Sequence, residues 1–335
     1  MSKRIWFNEV VTRDGFQNET AFVPTDDKIA LINALSACGY AKIEVTSFVS
    51  AKAIPMLRDA EEVMGRIRRF SGVEYSVLVP NVRGAERALE SSADELNVVM
   101  SMSETHNLAN LRLPREKSIA ALAEVIRMAD TPPFHTPVNV SLSTAFGCPM
   151  EGTVPQDEVL RWADRCAALG VRGFTVCDTT GMAHPAQVAE MAEAMQRRFP
   201  TLQLTMHFHN TRGMGLANVL AAAQAGIVRF DGSLGGLGGC PYAPGASGNI
   251  CSEDAIHMLE SMGYDTGIDL DALIATAQYL PELVGHATPG QLIRAGRITR
   301  LHPAPEQDRG GAGRASSTTS GRRADRQRHE VALAQ

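Results

Sequence analysis

Aromatic side chains make up only 5% of the 335 residues, and no segment reaches the roughly 18 consecutive apolar residues that a membrane-spanning helix needs. The opening "MSKRIWFNEVV" runs straight into a strand-like segment with no apolar signal region, which argues against secretion. CxxC pairing is missing. The six cysteines (Cys38, Cys148, Cys166, Cys177, Cys240, Cys251) lack the spacing of a disulfide framework, so a reduced, cytoplasmic setting is expected. No candidate strand leads into a dinucleotide-type glycine fingerprint, and the one long glycine-rich stretch lacks the Walker "GK[ST]" ending, which argues against a nucleotide loop. A strong charge of either sign is absent too: the net charge is −5 and the pI about 6.0. The body has no nucleic-acid footprint, and neither nucleic-acid nor membrane partners are expected.

What is present is a 44% hydrophobic complement in which small and aliphatic residues dominate, enough for helices packed closely on a sheet. Short apolar runs alternate with longer helical patterns to about residue 262. Strands are predicted near 5–11, 41–46, 75–79, 94–100, 137–143, 172–177, 202–208 and 227–231. Helices are predicted at 25–38, 57–69, 83–91, 115–130, 155–169, 185–198 and 214–225, with Thr25 as a cap and Gly39 and Gly170 as closing glycines. Eight strand–helix units imply an α/β fold, a TIM (β/α)8 barrel, over an open doubly wound sheet. A further helical segment, about 269–283, extends the barrel domain to residue 295. Residues 296–335 are rich in Gly, Ser, Pro and Arg, with eight arginines against four acids, and read as a disordered basic tail, solvated rather than partner-binding.

In such a barrel, chemistry belongs at the C-terminal strand ends. "HFHNT" (207–211) stands at one of them. Residues i and i+2 of an extended chain share a face, so His207 and His209 can converge on one metal ion. Asp14, after the first strand, offers a carboxylate, and Asn249, after the eighth, an amide oxygen. That mixed set suits magnesium or manganese better than a closed zinc cage. The plainer alternative makes one histidine a helix cap, the other a core group, and Asp14 a turn former. The loop 232–248, with seven glycines around Cys240, reads as a flap that closes over substrate, or as the surroundings of an inert thiol.

At these residues the sequence resembles the hydroxymethylglutaryl-CoA lyases of the DRE-TIM metallolyase superfamily. The shared stretches are "RDGFQNE" (13–19), "IEVTSFVS" (43–50), "HFH" and "GLGGCPYAPGASGN" (236–249), in order, within a similarity over roughly residues 5–285. The resemblance implies metal-dependent cleavage of 3-hydroxy-3-methylglutaryl-CoA, an acyl-CoA substrate, to acetyl-CoA and acetoacetate, as in leucine catabolism. It also implies a homodimer. By motif, Asp14, His207, His209 and Asn249 would be metal ligands. Arg13 would neutralise the thioester enolate, and Cys240 would be the flap's catalytic cysteine. Glu44 and Asp178 would support the site, and Gln17 would hold its polar network. The enolate's final proton would come from His207 or Cys240. The chain departs from the family pattern at Thr12 and Phe16, and at Asn210 and Arg212 beside the histidines. Phe16 and Arg212 are therefore candidate substrate-binding residues, together with Gln17. Through them citramalyl-CoA, or a longer 3-hydroxy-3-alkylglutaryl-CoA, stays an alternative substrate. Two other readings compete: an acetyl-CoA-dependent condensing synthase on the same fold, and a non-enzymatic metal-binding scaffold.

Overall fold

Strand sequences in this chain alternate apolar and polar side chains, and that parity fixes the architecture. In β5 (Val138–Ser143) Val138, Val140 and Leu142 are buried in the hydrophobic core, while Asn139, Ser141 and Ser143 take the other face. Eight parallel strands close into a barrel in sequence order: β1 (Trp6–Glu9), β2 (Lys42–Ser47), β3 (Glu74–Val79), β4 (Glu95–Ser101), β5, β6 (Gly173–Asp178), β7 (Gln203–Phe208) and β8 (Arg229–Gly232). Pairing of β8 with β1, Phe7 opposite Phe230 and Asn8 opposite Asp231, seals the ring. The computed structural model describes residues 3–239 and 248–301. Residues 1–297 form one compact unit. Cys240 and positions 302–335 of the expected tail lie outside the described residues.

Among the described residues, helices α1 (Thr25–Ala37), α2 (Ala60–Arg66), α3 (Val82–Glu90), α4 (Glu104–Leu111), α5 (Arg115–Ala129), α6 (Gln156–Ala167), α7 (Pro185–Arg198), α8 (Gly215–Gln224) and α9 (Ser252–Ser261) are followed by α10 (Leu270–Ala277), α11 (Leu280–Val284) and α12 (Leu292–Ala295). Gly39 and Gly170 end their helices as expected, at φ +94 and +89. Thr25 is not a cap: it is the first helical residue, and its hydroxyl donates to Asp59 Oδ2 at 2.8 Å. The expected 57–69 helix is a 3-10 turn at Pro55–Leu57 followed by α2. The expected 269–283 helix breaks between α10 and α11, where Pro281 cannot donate to the preceding turn. Helices α4, α9 and α12 have no counterpart in the sequence reading. No helix of the described residues is long and apolar enough to cross a membrane.

The hydrophobic core lies outside the barrel, between strands and helices; the barrel's interior is polar. Strand residues of inward parity, Asn8, Glu44, Ser76, Asn97, Asn139, Thr175, Thr205 and Asp231, surround a cavity of about 20 Å³, room for about one water. Several of these groups pair with one another. Asn97 donates to Glu44 Oε1 (2.6 Å), and its own oxygen accepts from Asn139 (3.1 Å) and Ser141 (2.9 Å). Branched aliphatic layers usually fill such barrels. Here a hydrogen-bonded polar cluster takes their place.

Candidate active site

The first strand is shorter than the sequence suggests. β1 stops at Glu9, and Val11–Gly15 coil into a single π-helical turn, a rare form that recurs at functional sites. Glu9 holds this turn. Its Oε1 accepts from the backbone N–H groups of Val10, Val11 and Leu234, and its Oε2 from Tyr40 and Ser252, all within 3.1 Å. Complete burial nevertheless pushes the Glu9 carboxyl up to about 7, with the five donors opposing it.

The turn aims Asp14 across the mouth at β7. Parity continues through Gln203, Thr205 and His207 to His209, so both imidazoles face the barrel axis. Their Nε2 atoms stand 3.1 Å apart, and Asp14 Oδ2 lies 3.9 Å from His207 Nε2 and 3.8 Å from His209 Nε2. All three side chains are buried, and their ligand atoms lie within 4.8 Å of one another, a spacing that can hold a metal ion. Two like-facing imidazole nitrogens beside a carboxylate make a poor packing contact and a good cation cage.

Asn249 arrives by backbone pairing. It bridges His209, while Ile250 N donates to Phe208 O at 3.1 Å. Its Nδ2 donates to Asp14 Oδ2 (2.7 Å) and Leu237 O (3.0 Å), leaving Oδ1 buried without a partner. The amide thus turns its N–H toward Asp14, and a cation in the cage would favour the opposite orientation, with the orphan oxygen inward. Gly238 makes this approach possible: at φ +117, a Cβ there would sit 2.5 Å from Asn249 Nδ2 and 3.1 Å from Asp14 O.

Electrostatics fit the cage. Burial opposes the Asp14 charge, but Arg13 and the two histidines outweigh it and hold the carboxyl near 2. Burial, with His207 alongside, drops His209 to about 3, so its ring is neutral and its lone pair available. Burial lowers His207 as well, yet Asp231 more than compensates and raises it. Asp231 Oδ2 faces His207 Nδ1 at 3.3 Å, while its Oδ1 accepts from Asn8 at 2.8 Å.

Around the cage, Arg13 lies between Glu44, bonded through Nε, and Asp14, bonded through Nη1. Nη2 has no partner among the described residues. Gln17 donates to Asp14 Oδ1 (2.9 Å), Asn18 to Gly239 O (2.6 Å), and Glu19 pairs with His286 (2.8 Å). Asp178 Oδ1 accepts from Met182 and Ala183 N–H (2.7 and 3.1 Å). Its Oδ2 is buried and unpartnered, and burial pushes the carboxyl up to about 6. Arg212 donates to Thr180 O and Gly181 O, tying the loop after β6 to the loop after β7. Phe16 lies in the hydrophobic core, 1% exposed. So Asp14, His207, His209, Asn249, Arg13, Glu44 and Gln17 come together, Phe16 sits behind them, and Cys240 lies outside the described residues. Sequence reading missed Asp231, Asn97 and Glu9. Asp231 was within its reach, because "RFDG" ends a strand with a carboxylate of inward parity, the signal that singled out the histidines.

Fold and site together define a class: a closed (β/α)8 barrel with a buried carboxylate–bis-imidazole cluster at the C-terminal mouth that could hold a metal ion. The family model HMGL-like matches residues 4–280, and the chain belongs to that family. It is 46% identical over 292 residues to a hydroxymethylglutaryl-CoA lyase of Bacillus subtilis, covering 87% of this chain and 97% of that one. A cytoplasmic 3-hydroxy-3-methylglutaryl-CoA lyase of Rattus norvegicus is 40% identical over 293 residues, 88% and 85% of the two chains. Among solved structures, an HMG-CoA lyase from Acinetobacter baumannii, in complex with coenzyme A and 3-methylmalate, superposes with a TM-score of 0.86 at 50% identity, over 90% of this chain and 98% of that one.

Proposed function

We propose that this chain is a metal-dependent carbon–carbon lyase that cleaves 3-hydroxy-3-methylglutaryl-CoA to acetyl-CoA and acetoacetate. The observation that carries the proposal is the triangle of Asp14, His207 and His209 with the free end of Arg13 beside it. Asp14, His207, His209 and the Asn249 oxygen would hold magnesium or manganese, matching hard donors to a hard ion. When bound, that ion supplies Lewis acidity to a chelated hydroxyl and carboxylate.

The protein's own groups do the rest. Glu44 fixes the guanidinium of Arg13 at Nε, Asp14 fixes it at Nη1, and Nη2 is left for the thioester oxygen. As the hydroxyl proton passes to a carboxylate of the mouth, for which Asp178 Oδ2 is the buried oxygen without a partner, the C2–C3 bond breaks, its electron pair passes to the thioester as an enolate, and C3 becomes the ketone of acetoacetate. A preorganised cation meets that charge without reorganising. Asp231 sets the His207 ring, and Gln17 steadies Asp14 from its other oxygen. The final proton to the enolate carbon comes from His207 or Cys240; engagement of both ring nitrogens of His207, by Asp231 and by the cage, favours Cys240. Asp178, held largely protonated by burial below about pH 6, supports the mouth beside His207. Arg212 braces the two loops that shape the acyl pocket, and Phe16 backs the Arg13–Asp14 turn. A cytoplasmic homodimer working on acyl-CoA from leucine breakdown completes the reading; the five described cysteines are all free and buried.

A panel of 3-hydroxy-acyl-CoA thioesters, citramalyl-CoA included, assayed for acetyl-CoA release with added magnesium tests the proposal. The highest kcat/KM should fall on the 3-hydroxy-3-methylglutaryl thioester. Absence of acetyl-CoA from every member would refute it. Free CoA released from acetyl-CoA plus a 2-oxo acid would point to the condensing synthase instead.

A further inference from the structure

The opposite mouth holds a second concentration of charge that the lyase reading does not use. A cavity of about 430 Å³ opens there among the strand starts: Trp6 begins β1, Lys42 β2, Glu74 β3, Gln203 β7 and Arg229 β8, and Arg172 precedes β6. Most of the charge cancels locally. Lys42 bridges Glu74 (2.7 Å) and Glu95 (2.5 Å), and Arg172 bridges the same two carboxylates (2.6 and 3.2 Å), a closed ring of two cations and two anions. Asp94, on the rim, is taken by Arg69 at 2.9 Å.

Arg229 is left over. Its guanidinium lies 4.8 Å from the centre of the Trp6 ring and has no carboxylate within 4.0 Å among the described residues. Burial disfavours its charge, and so does the neighbouring Arg172; Glu74 and Glu95 offset this only from a distance. Gln203 and Trp6, two neutral side chains able to donate, line the same cavity. A half-buried guanidinium without a carboxylate partner, in a cavity it shares with two neutral side chains able to donate and beside carboxylates already clamped, is the chemistry of an oxyanion receptor.

We propose that the N-terminal mouth of the barrel binds a small oxyanion, a carboxylate or a phosphate group, on Arg229, Gln203 and Trp6. The site is separate from the metal cage, and this proposal stands or falls independently of the lyase reading.

The test is calorimetric titration of the full chain with inorganic phosphate and, in a second arm, with acetate, chloride holding the ionic strength constant. Wild type should show saturable binding of at least one of the two, and the arm that saturates at lower concentration names the oxyanion. Arg229→Gln should weaken it about tenfold or more, the loss of one charge-assisted contact. Gln203→Leu, which spares the guanidinium, should weaken it severalfold and keeps the test alive if the arginine variant fails to fold. Arg13→Gln, at the other mouth, should leave the isotherm unchanged. No saturable binding of either anion, or binding that survives in Arg229→Gln or is lost in Arg13→Gln, would overturn the proposal.

Discussion

The two mouths of this barrel are both rich in ionisable side chains and treat charge differently. At the N-terminal mouth, Lys42, Arg172, Glu74 and Glu95 neutralise one another in a closed ring. At the C-terminal mouth, two imidazole nitrogens face each other, and Asn249 Oδ1, Asp178 Oδ2 and His209 Nδ1 are buried without partners. Buried polar groups are almost always satisfied. The cluster of such exceptions at the C-terminal mouth marks groups kept ready for a ligand, whereas the four-membered ring at the other mouth uses its charge to hold strands together.

Breaking the ring should have the largest effect. Glu95→Ala leaves Lys42 and Arg172 to share Glu74, and chemical denaturation should show a loss of about 3–5 kcal/mol, typical of a halved buried ion pair. Turnover per folded molecule should stay near wild type. Arg13→Gln, at the other mouth, reverses that pattern. It should cut kcat by roughly 10²–10³ with metal content unchanged, checked by acetyl-CoA release and metal analysis on one preparation. Asp231→Asn removes the charge behind His207 and should weaken metal binding about 10–100-fold, read directly by titration.

The smallest effect is a slope with pH. The Glu9 carboxyl sits at about 7 in the folded protein against an ordinary 4.5, so the folded state holds the extra proton between those values. Stability carried by that proton is full at low pH and is lost as pH rises toward 7, at on the order of 1 kcal/mol per pH unit. Glu9→Gln can keep its oxygen toward the three backbone N–H groups and its amide toward the two hydroxyls. The melting-temperature difference, wild type minus Glu9→Gln, should therefore fall between about pH 4.5 and 7. A flat difference would mean that Glu9 is ionised throughout.

Eight short apolar runs alternating with helical patterns make the barrel legible in the sequence, and the i, i+2 spacing puts His207 and His209 on one face. The same parity put Asp231 inward, but a lone carboxylate in "RFDG" has no partner in sequence, and its meaning depends on His207 lying one strand away. The π-turn at Val11–Gly15 was hidden because "VV" extends a strand pattern, and only Glu9, drawing five donors from four segments, bends the chain there. The split of the 269–283 helix at Pro281 was legible and was read through. The charge ring at the far mouth was not, since Lys42, Glu74, Glu95 and Arg172 begin or precede four different strands and meet only when the barrel closes.

The central claim is that Asp14, His207 and His209 hold one divalent cation. Calorimetric titration of the purified chain with manganese or magnesium tests it most directly. One saturable site per chain should appear in wild type and vanish in His209→Ala, whose fold stays intact by circular dichroism. No uptake by wild type, or full uptake by the folded variant, would contradict it.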